Sequence, residues 1–240
     1  MYLLEVREDG KCTDAELERA LRYLESYFVR RMVIGRATDN MNRVLPDART
    51  AVEKELRRKI NPPTLDEALR SYLSGSGKHW ATDAELRIAV HDRPFYQFGK
   101  AHQKALVLMW IEEALAGGET TPTKGLTVEH VMPQTLNAVW IAELKPGLKP
   151  GENPSTVHDH LKHTLGNLTL ATPASNSAMS NAAFAEKKAQ LKKRGTGLVL
   201  TSEITKKHHW RGPDNTVRSE LMVGRIIRSW PGPLPPHEGI

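Results

Sequence analysis

Val128-Glu129-His130-Val131-Met132-Pro133 is the stretch that decides the fold of this 240-residue chain. Residues Leu126 to Val131 suit a short β-strand, and the proline that follows cannot donate to a sheet ladder. Neighbouring side chains of a strand point to opposite faces, so Glu129 and His130 are expected on opposite faces. A bend at Pro133 would let both approach one shared group.

A second short apolar segment can supply a partner for this strand. Leu165-Gly166-Asn167-Leu168-Thr169-Leu170 is interrupted by Gly-Asn, which predicts a turn that enters a strand. Ala182 to Arg194 has the composition of a strong helix, with Asn176 just before it and Asn181 at its start. Together the segments predict a hairpin that packs on a helix.

The rest of the chain is mostly helical in pattern. Capping boxes, in which a threonine and the glutamate three residues later satisfy each other's backbone N–H groups, predict helix starts at Thr13, Thr64 and Thr82. The first box is followed by an apolar stripe of Leu17, Leu21, Leu24 and Phe28. Further helices are expected over 47–59, 100–116 and 216–230, and a Pro/Gly-rich loop over 143–160.

Composition indicates a globular chain with a polyanionic partner. Hydrophobic residues make up 39%, the only cysteine is Cys12, and no apolar run approaches membrane-spanning length, so a cytoplasmic protein without membrane contact is expected. The net charge is +6, yet residues 185–230 alone hold eleven Lys or Arg and four Asp or Glu. The basic excess therefore lies in the C-terminal part, as expected for a surface that binds nucleic acid. A solvated charged helix would give the same pattern.

Hydrolysis of a phosphodiester needs a base that activates water, a cation that neutralises the phosphate, and groups that orient the base. HNH nucleases supply these from a hairpin packed on a helix with one metal ion, and this sequence resembles them. The resemblance makes His130 the general base. It makes Glu129 and Asn176 oxygen ligands of a divalent cation, with Asn181 as the alternative to Asn176, and it makes Asn167 the residue that holds the loop of the base. Asparagine in place of histidine favours Mg²⁺ or Mn²⁺ over zinc.

The spaced motifs are similar to one group in particular, the HNH-like C-terminal domain of GmrSD-type modification-dependent restriction endonucleases. The similar domain of SspE, the phosphorothioation-sensing antiphage nuclease, belongs to the same group. The matching runs are Glu129–Gln134, Leu165–Leu170, Asn176–Asn181 and Phe184-x-x-Lys187, with weaker likeness over Leu24–Arg31, Trp80–Tyr96, Trp210, Arg218 and Trp230-Pro231. The likeness covers about residues 13–231.

The resemblance carries expectations for fold, domains and partners. The fold is expected to be mainly α with a small ββα-metal (HNH or His-Me finger) module. Residues 1–118 would form a helical scaffold, 119–231 the nuclease module with basic C-terminal helices, and 232–240 a flexible tail. The implied activity is metal-dependent nicking or cleavage of double-stranded DNA in antiphage defence. A ParB-like nucleotidase domain is expected N-terminal to such a domain, and this chain would correspond to the C-terminal fragment.

Basic residues near the expected site are candidates for contacts with the DNA backbone, which give affinity without sequence readout. The candidates are Lys187, Lys188, Lys192, Lys193, Arg194, Lys206, Lys207 and Arg211.

Several interpretations stay open at the level of sequence. Asn176 fits a helix N-cap as well as a ligand, and Asn167 suits a turn without any chemistry. His158, His160 and His163 could hold zinc, although no cysteine accompanies them. The domain could be a non-catalytic module that binds DNA or an effector, or its target could be RNA.

Overall fold

Thr127–His130 forms strand β1 and pairs in antiparallel fashion with strand β2, Leu168–Ala171. His130 lies opposite Leu168, and Glu129 lies opposite Thr169. All four residues of β2 are buried, and two helices pack against this strand. The two segments predicted as strands are therefore the two strands of this sheet.

The structure is a computed structural model, and it describes residues 2–36, 38–98, 100–117, 125–193 and 197–235. In these ranges it contains helices and one two-stranded sheet, so the expectation of a mainly α fold is confirmed. No helix in the described ranges combines the length and the apolar character needed to cross a membrane.

The chain divides into two compact units. The first consists of Met1–Leu86 with Trp230–Ile240, and the second of Arg87–Ser229. The division falls inside a helix, at residues 86 and 87, whereas the sequence placed a domain boundary after residue 118. Residues 231–235 contact the first unit, where the Leu234 N–H donates to Ser74 Oγ and Ser26 Oγ donates to the Pro231 carbonyl.

The first unit is helical. Its helices are α1 (Tyr2–Glu8), α2 (Asp14–Val33), α3 (Met41–Leu56) and α4 (Leu65–Ser74), followed by the start of α5 (Asp83–Asp92). The boxes at Thr13 and Thr64 are present at the starts of α2 and α4, and Thr82 with Glu85 makes the same contacts before α5. The face of α2 that is buried contains Ala20 and Tyr27, whereas Leu21 of the expected stripe is 45% exposed.

The second unit holds the sheet and the remaining helices. These are α6 (Ala101–Leu115), α7 (Ala138–Leu144), α8 (Pro154–Leu161), α9 (Pro173–Met179), α10 (Phe184–Lys193), α11 (Val199–Thr205) and α12 (Gly212–Ser229). Short 3₁₀ turns lie at Phe95–Gln97 and Leu165–Asn167. Helices α6 and α9 contact β1, and α6 and α11 contact β2. The core beneath the end of β1 includes Met132, Trp140, Phe184 and Trp210.

The predicted loop over 143–160 is wrong, because α8 lies within it. Asn153 caps this helix by accepting from the Thr156 N–H, and Pro154 occupies its first position, where a missing N–H costs nothing. Helix α3 starts at Met41, earlier than expected, and accommodates Pro46 in its interior. Helix α11 was not predicted, because its N-terminal N–H groups are satisfied by a distant carboxylate, that of buried Glu112 on α6.

The turn that enters β2 is held tightly against α12. Arg218 is buried, and its guanidinium donates to the carbonyls of Gly166 and Leu168 at 2.6 and 2.7 Å. Burial lowers the pKa of Arg218 to about 10, so it stays charged at neutral pH. A Cβ on Gly166 would collide with Ser219 Oγ and lie 2.9 Å from Asn215 Oδ1. Only glycine fits at this close approach.

We predict that Gly166→Ala destabilises the protein by about 1–3 kcal/mol, because overpacking forces the turn away from α12. Gly224→Ala is the matched control, since Gly224 also lies in the second unit but faces only the far end of Arg228, at 3.5 Å. That change should leave stability unchanged or raise it by up to ~1 kcal/mol. Thermal unfolding of both variants checks this, and equal shifts in Tm would contradict the close-packing explanation.

Candidate active site

The end of β1 is fixed by the side-chain amide of Asn167, which is fully buried. Its Oδ1 accepts from the Met132 N–H at 2.8 Å and from Trp210 Nε1 at 3.0 Å. Its Nδ2 donates to the carbonyls of Met132 and Lys162 at 2.8 and 2.9 Å. An asparagine side chain can make four such bonds, and all four are made. The Asn167 amide thus supplies hydrogen bonds to the backbone beyond the last paired residue of β1 and fixes the segment that follows His130.

The ring of His130 is enclosed by two other rings. Its Nε2 lies 3.2 Å from His163 Nδ1, and its centroid lies 4.3 Å from that of Tyr96 in an edge-to-face arrangement. Tyr96 and His163 are themselves joined, since their rings stack at 5.7 Å and the Tyr96 N–H donates to the His163 carbonyl. In the described part of the chain, His163 is the only hydrogen-bond partner of the His130 ring. The other ring nitrogen, Nδ1, is therefore left without a protein partner there.

Burial, with smaller contributions from His163 and Lys187, lowers the pKa of His130 to about 3. Burial also lowers the pKa of His163, with a second contribution from Lys162. Both rings are consequently neutral at physiological pH. A neutral ring has one nitrogen with a lone pair, which can accept a proton. A general base works best with a pKa near the operating pH, so His130 is a weak base in this arrangement, and the negative charge of a bound phosphate would raise its pKa.

Glu129 lies in a buried ion pair. Its Oε1 accepts from Lys187 Nζ at 2.7 Å, and the same ammonium donates to the His130 carbonyl at 2.6 Å. The two side chains are 6% and 1% exposed. Burial raises the pKa of Glu129 and lowers that of Lys187, while their mutual attraction opposes both shifts. The pair ties α10 to the strand that carries His130.

Asn176 lies within α9, not at its start, because Thr172 is the N-cap of that helix. Its Nδ2 donates to Thr127 Oγ1 and to the Val128 carbonyl, at 3.0 and 2.9 Å. A carbonyl oxygen only accepts, so this contact fixes which end of the amide is nitrogen. The Oδ1 has no hydrogen-bond partner among the described residues.

Asn176 lines a cavity of about 380 Å³ between α6 and the start of β1. Its other walls are Tyr96, Ala101, His102, Lys104, Ala105, Leu126, Thr127 and Val128. Lys104 Nζ lies over the Tyr96 ring, 4.4 Å from its centroid. No lining residue is acidic, so the cavity suits an anionic ligand.

The structure brings some of the candidate residues together and separates others. Asn176 hydrogen-bonds to β1, the strand that contains His130, and Asn167 hydrogen-bonds to the segment that continues it. The alternative to Asn176, Asn181, is exposed after α9, and its carbonyl accepts from Asn137.

The three histidines considered as zinc ligands are used separately. His158 donates to the Pro133 carbonyl at 2.7 Å, His160 is exposed beside Asp92, and His163 faces His130. Among the residues that the structure describes, no group of three His, Cys, Asp or Glu side chains could hold a metal ion.

The residues expected to contact DNA fall into different environments. Lys192, Lys193 and Lys206 are exposed. Lys188 donates to the Lys207 carbonyl, so α10 lies against the segment after α11. The expectation for Lys187 needs correction, because its ammonium is buried against Glu129 and is not available to a phosphate. Lys207 pairs with Asp214, Arg211 donates to the Glu143 carbonyl, and Arg194 lies outside the described residues.

The sequence did not point to Tyr96, Lys104 or the pairing of His163 with His130. These residues come from three separate segments, and only the fold brings them to β1. His163 stood out merely as one of three nearby histidines, and its position four residues before Asn167 was the available signal.

A family model for the GmrSD restriction endonucleases, C-terminal domain, matches residues 80–225. The chain belongs to this family. The match includes β1, β2, the Asn167 turn and the Glu129–Lys187 pair. A search of curated proteins found no match. The GmrSD-type resemblance read from the motifs is thereby confirmed over residues 80–225, whereas the likeness expected for 13–79 and 226–231 stays a prediction.

We predict that the Glu129–Lys187 pair contributes to folding as a unit. Lys187→Met should cost about 3–5 kcal/mol, because it leaves a buried carboxylate without its cation. The double variant Glu129→Gln with Lys187→Met should be clearly more stable than Lys187→Met alone, since no unpaired charge is then buried. Urea unfolding of the wild type and the variants measures this, and strictly additive losses would contradict the coupling.

Proposed function

We propose that this chain is a metal-dependent DNA endonuclease domain of a modification-linked antiphage restriction system, with His130 as the general base. The observation that supports it best is the neutral His130 ring, whose Nδ1 has no hydrogen-bond partner among the described residues and which packs against Tyr96, a wall of the cavity that carries Lys104 and no acid. Membership of the restriction endonuclease family gives the reaction class. The β1, β2 and α9 elements would form the ββα module of an HNH enzyme.

The reaction proposed is attack of water on phosphorus. The proton of that water passes to His130 Nδ1, the new P–O bond forms, and the bond to the 3′ oxygen breaks. The departing oxygen then takes a proton from solvent. Asn167 would hold the base in place, because it fixes both backbone groups of Met132 and so the exit of β1.

The cavity beside Tyr96 is the proposed seat of the phosphate. Lys104 can turn from the Tyr96 ring to a phosphate oxygen, which exchanges a cation–π contact for a charge-assisted hydrogen bond. Farther out, Lys192, Lys193 and Lys206 offer exposed charges for the flanking backbone of double-stranded DNA.

Of the two predicted ligands of a divalent cation, only Asn176 keeps an oxygen without a hydrogen-bond partner among the described residues. Proteins usually hold Mg²⁺ through one or two carboxylates, and the cavity is lined by no carboxylate and by Lys104, so these residues alone do not fit a metal site. A Mg²⁺ or Mn²⁺ ion would be held chiefly by phosphate oxygens of the DNA and by water. Glu129 does not fit in this arrangement, because Lys187 already neutralises it. When bound, the ion would supply positive charge to the phosphate.

The wider setting of the domain is also part of the proposal. A ParB-like nucleotidase domain of the same protein would act with it, sense the DNA modification and control cutting. The competing function is a non-catalytic module that anchors DNA or an effector, which the exposed lysines would support equally well.

We predict that His130→Ala abolishes nicking of supercoiled plasmid while it leaves folding and DNA binding nearly intact. The wild type should cut with Mg²⁺ or Mn²⁺ and stop with EDTA. His160→Ala is the matched control, since His160 is an exposed histidine of the same unit, and it should cut normally.

Wild-type cutting by His130→Ala would refute the assignment of the base. Binding without metal-dependent nicking by the wild type would favour the non-catalytic module. Faster cleavage of a matched RNA would make RNA the target.

A further inference from the structure

His163 holds a place beside His130 that packing alone does not require. His163 follows α8 and is 8% exposed, and its Nδ1 lies within hydrogen-bond distance of His130 Nε2. Tyr96 fixes it on the other side through a backbone hydrogen bond of 3.0 Å and a stack with an interplanar angle of 11°. The His163 ring therefore has little freedom to turn away from His130.

One proton must lie between the two rings, because two neutral imidazoles 3.2 Å apart form a hydrogen bond only if one donates and the other accepts. Either His130 Nε2–H donates to His163 Nδ1, or His163 Nδ1–H donates to His130 Nε2. The first arrangement puts both rings in the Nε2–H form, which the neutral side chain of histidine prefers in water. The second puts both in the less favoured Nδ1–H form and would leave His130 Nδ1 without a lone pair.

We propose that His163 is a positioning residue that accepts the Nε2 proton of His130 and thereby keeps His130 Nδ1 free to act as the base. This inference rests on the proposed function. As Nδ1 takes the proton from water, the positive charge on His130 is stabilised by the same Nε2–H···Nδ1 bond, which becomes charge-assisted. His163 does not touch the substrate and acts only through His130.

Two variants separate this role from packing. His163→Phe keeps a flat ring on Tyr96 but removes the acceptor. His163→Asn loses the ring but places Oδ1, an acceptor, where Nδ1 stood. If His163 only packed, the phenylalanine variant would be the better enzyme. If it orients the proton, the asparagine variant should be better.

The expected result is a fall in kcat of at least about 10-fold for His163→Phe with an unchanged KM for DNA, and substantial recovery of kcat in His163→Asn. Cutting by His163→Phe at the wild-type rate would overturn the proposal. Thermal unfolding of both variants shows whether each is folded, and the comparison between them holds only for folded protein.

Nitrogen-15 NMR of the histidine rings tests the tautomer directly in the wild type, independently of any variant. His130 should be in the Nε2–H form, and His163→Phe should shift it towards a mixture. An Nδ1–H form of His130 in the wild type would overturn the proposal. If the tautomer is as expected but His130→Ala still cuts, the proposed base is wrong while the His130–His163 bond stands, so the two failures are distinguishable.

Discussion

Four hydrogen bonds made by one buried amide, that of Asn167, fix the end of β1 and the segment that follows His130. The β ladder ends at His130, so without the Asn167 side chain the backbone N–H and carbonyl of Met132 would lie in the core without these hydrogen bonds. An unpaired buried amide costs about 1–3 kcal/mol, so the Asn167 side chain stabilises the segment beyond His130 by a free energy of that order. Arg218 and the close approach at Gly166 then fix the turn that carries Asn167.

The strand places the neutral His130 ring next to a residue of a buried ion pair, Glu129 with Lys187. Lys187 holds both the carboxylate of Glu129 and the carbonyl of His130, so the cation acts on strand geometry rather than on DNA. The cation that faces the open cavity is Lys104, which comes from α6. Lys187, the lysine of the family motif, is therefore a buried structural residue, whereas Lys104 remains available to a ligand in the cavity.

The sequence predicted the structural features that depend on residues close to one another in the chain. The strands, the Gly-Asn turn, the capping boxes and helices α6, α10 and α12 follow from local pattern, and the motif spacing indicated the family. It did not predict α11, whose cap comes from Glu112, or the contacts of Tyr96 and His163 with His130, because these depend on residues far apart in the chain. The motif predicted Glu129 as a metal ligand, but only the fold shows that its carboxylate is already paired with Lys187. The position of Asn176 in the sequence was equally compatible with an N-cap, and the backbone of α9 excludes that interpretation.

The central claim is that the cavity beside Tyr96 presents one phosphate to His130. A crystal structure of full-length His130→Ala with duplex DNA and Mn²⁺ would test it most directly. The account predicts a backbone phosphate between Lys104 and Asn176, with its phosphorus within roughly 6 Å of the lost ring, the reach of a single bridging water. DNA seated on a different surface, with the cavity free of phosphate, would contradict the account.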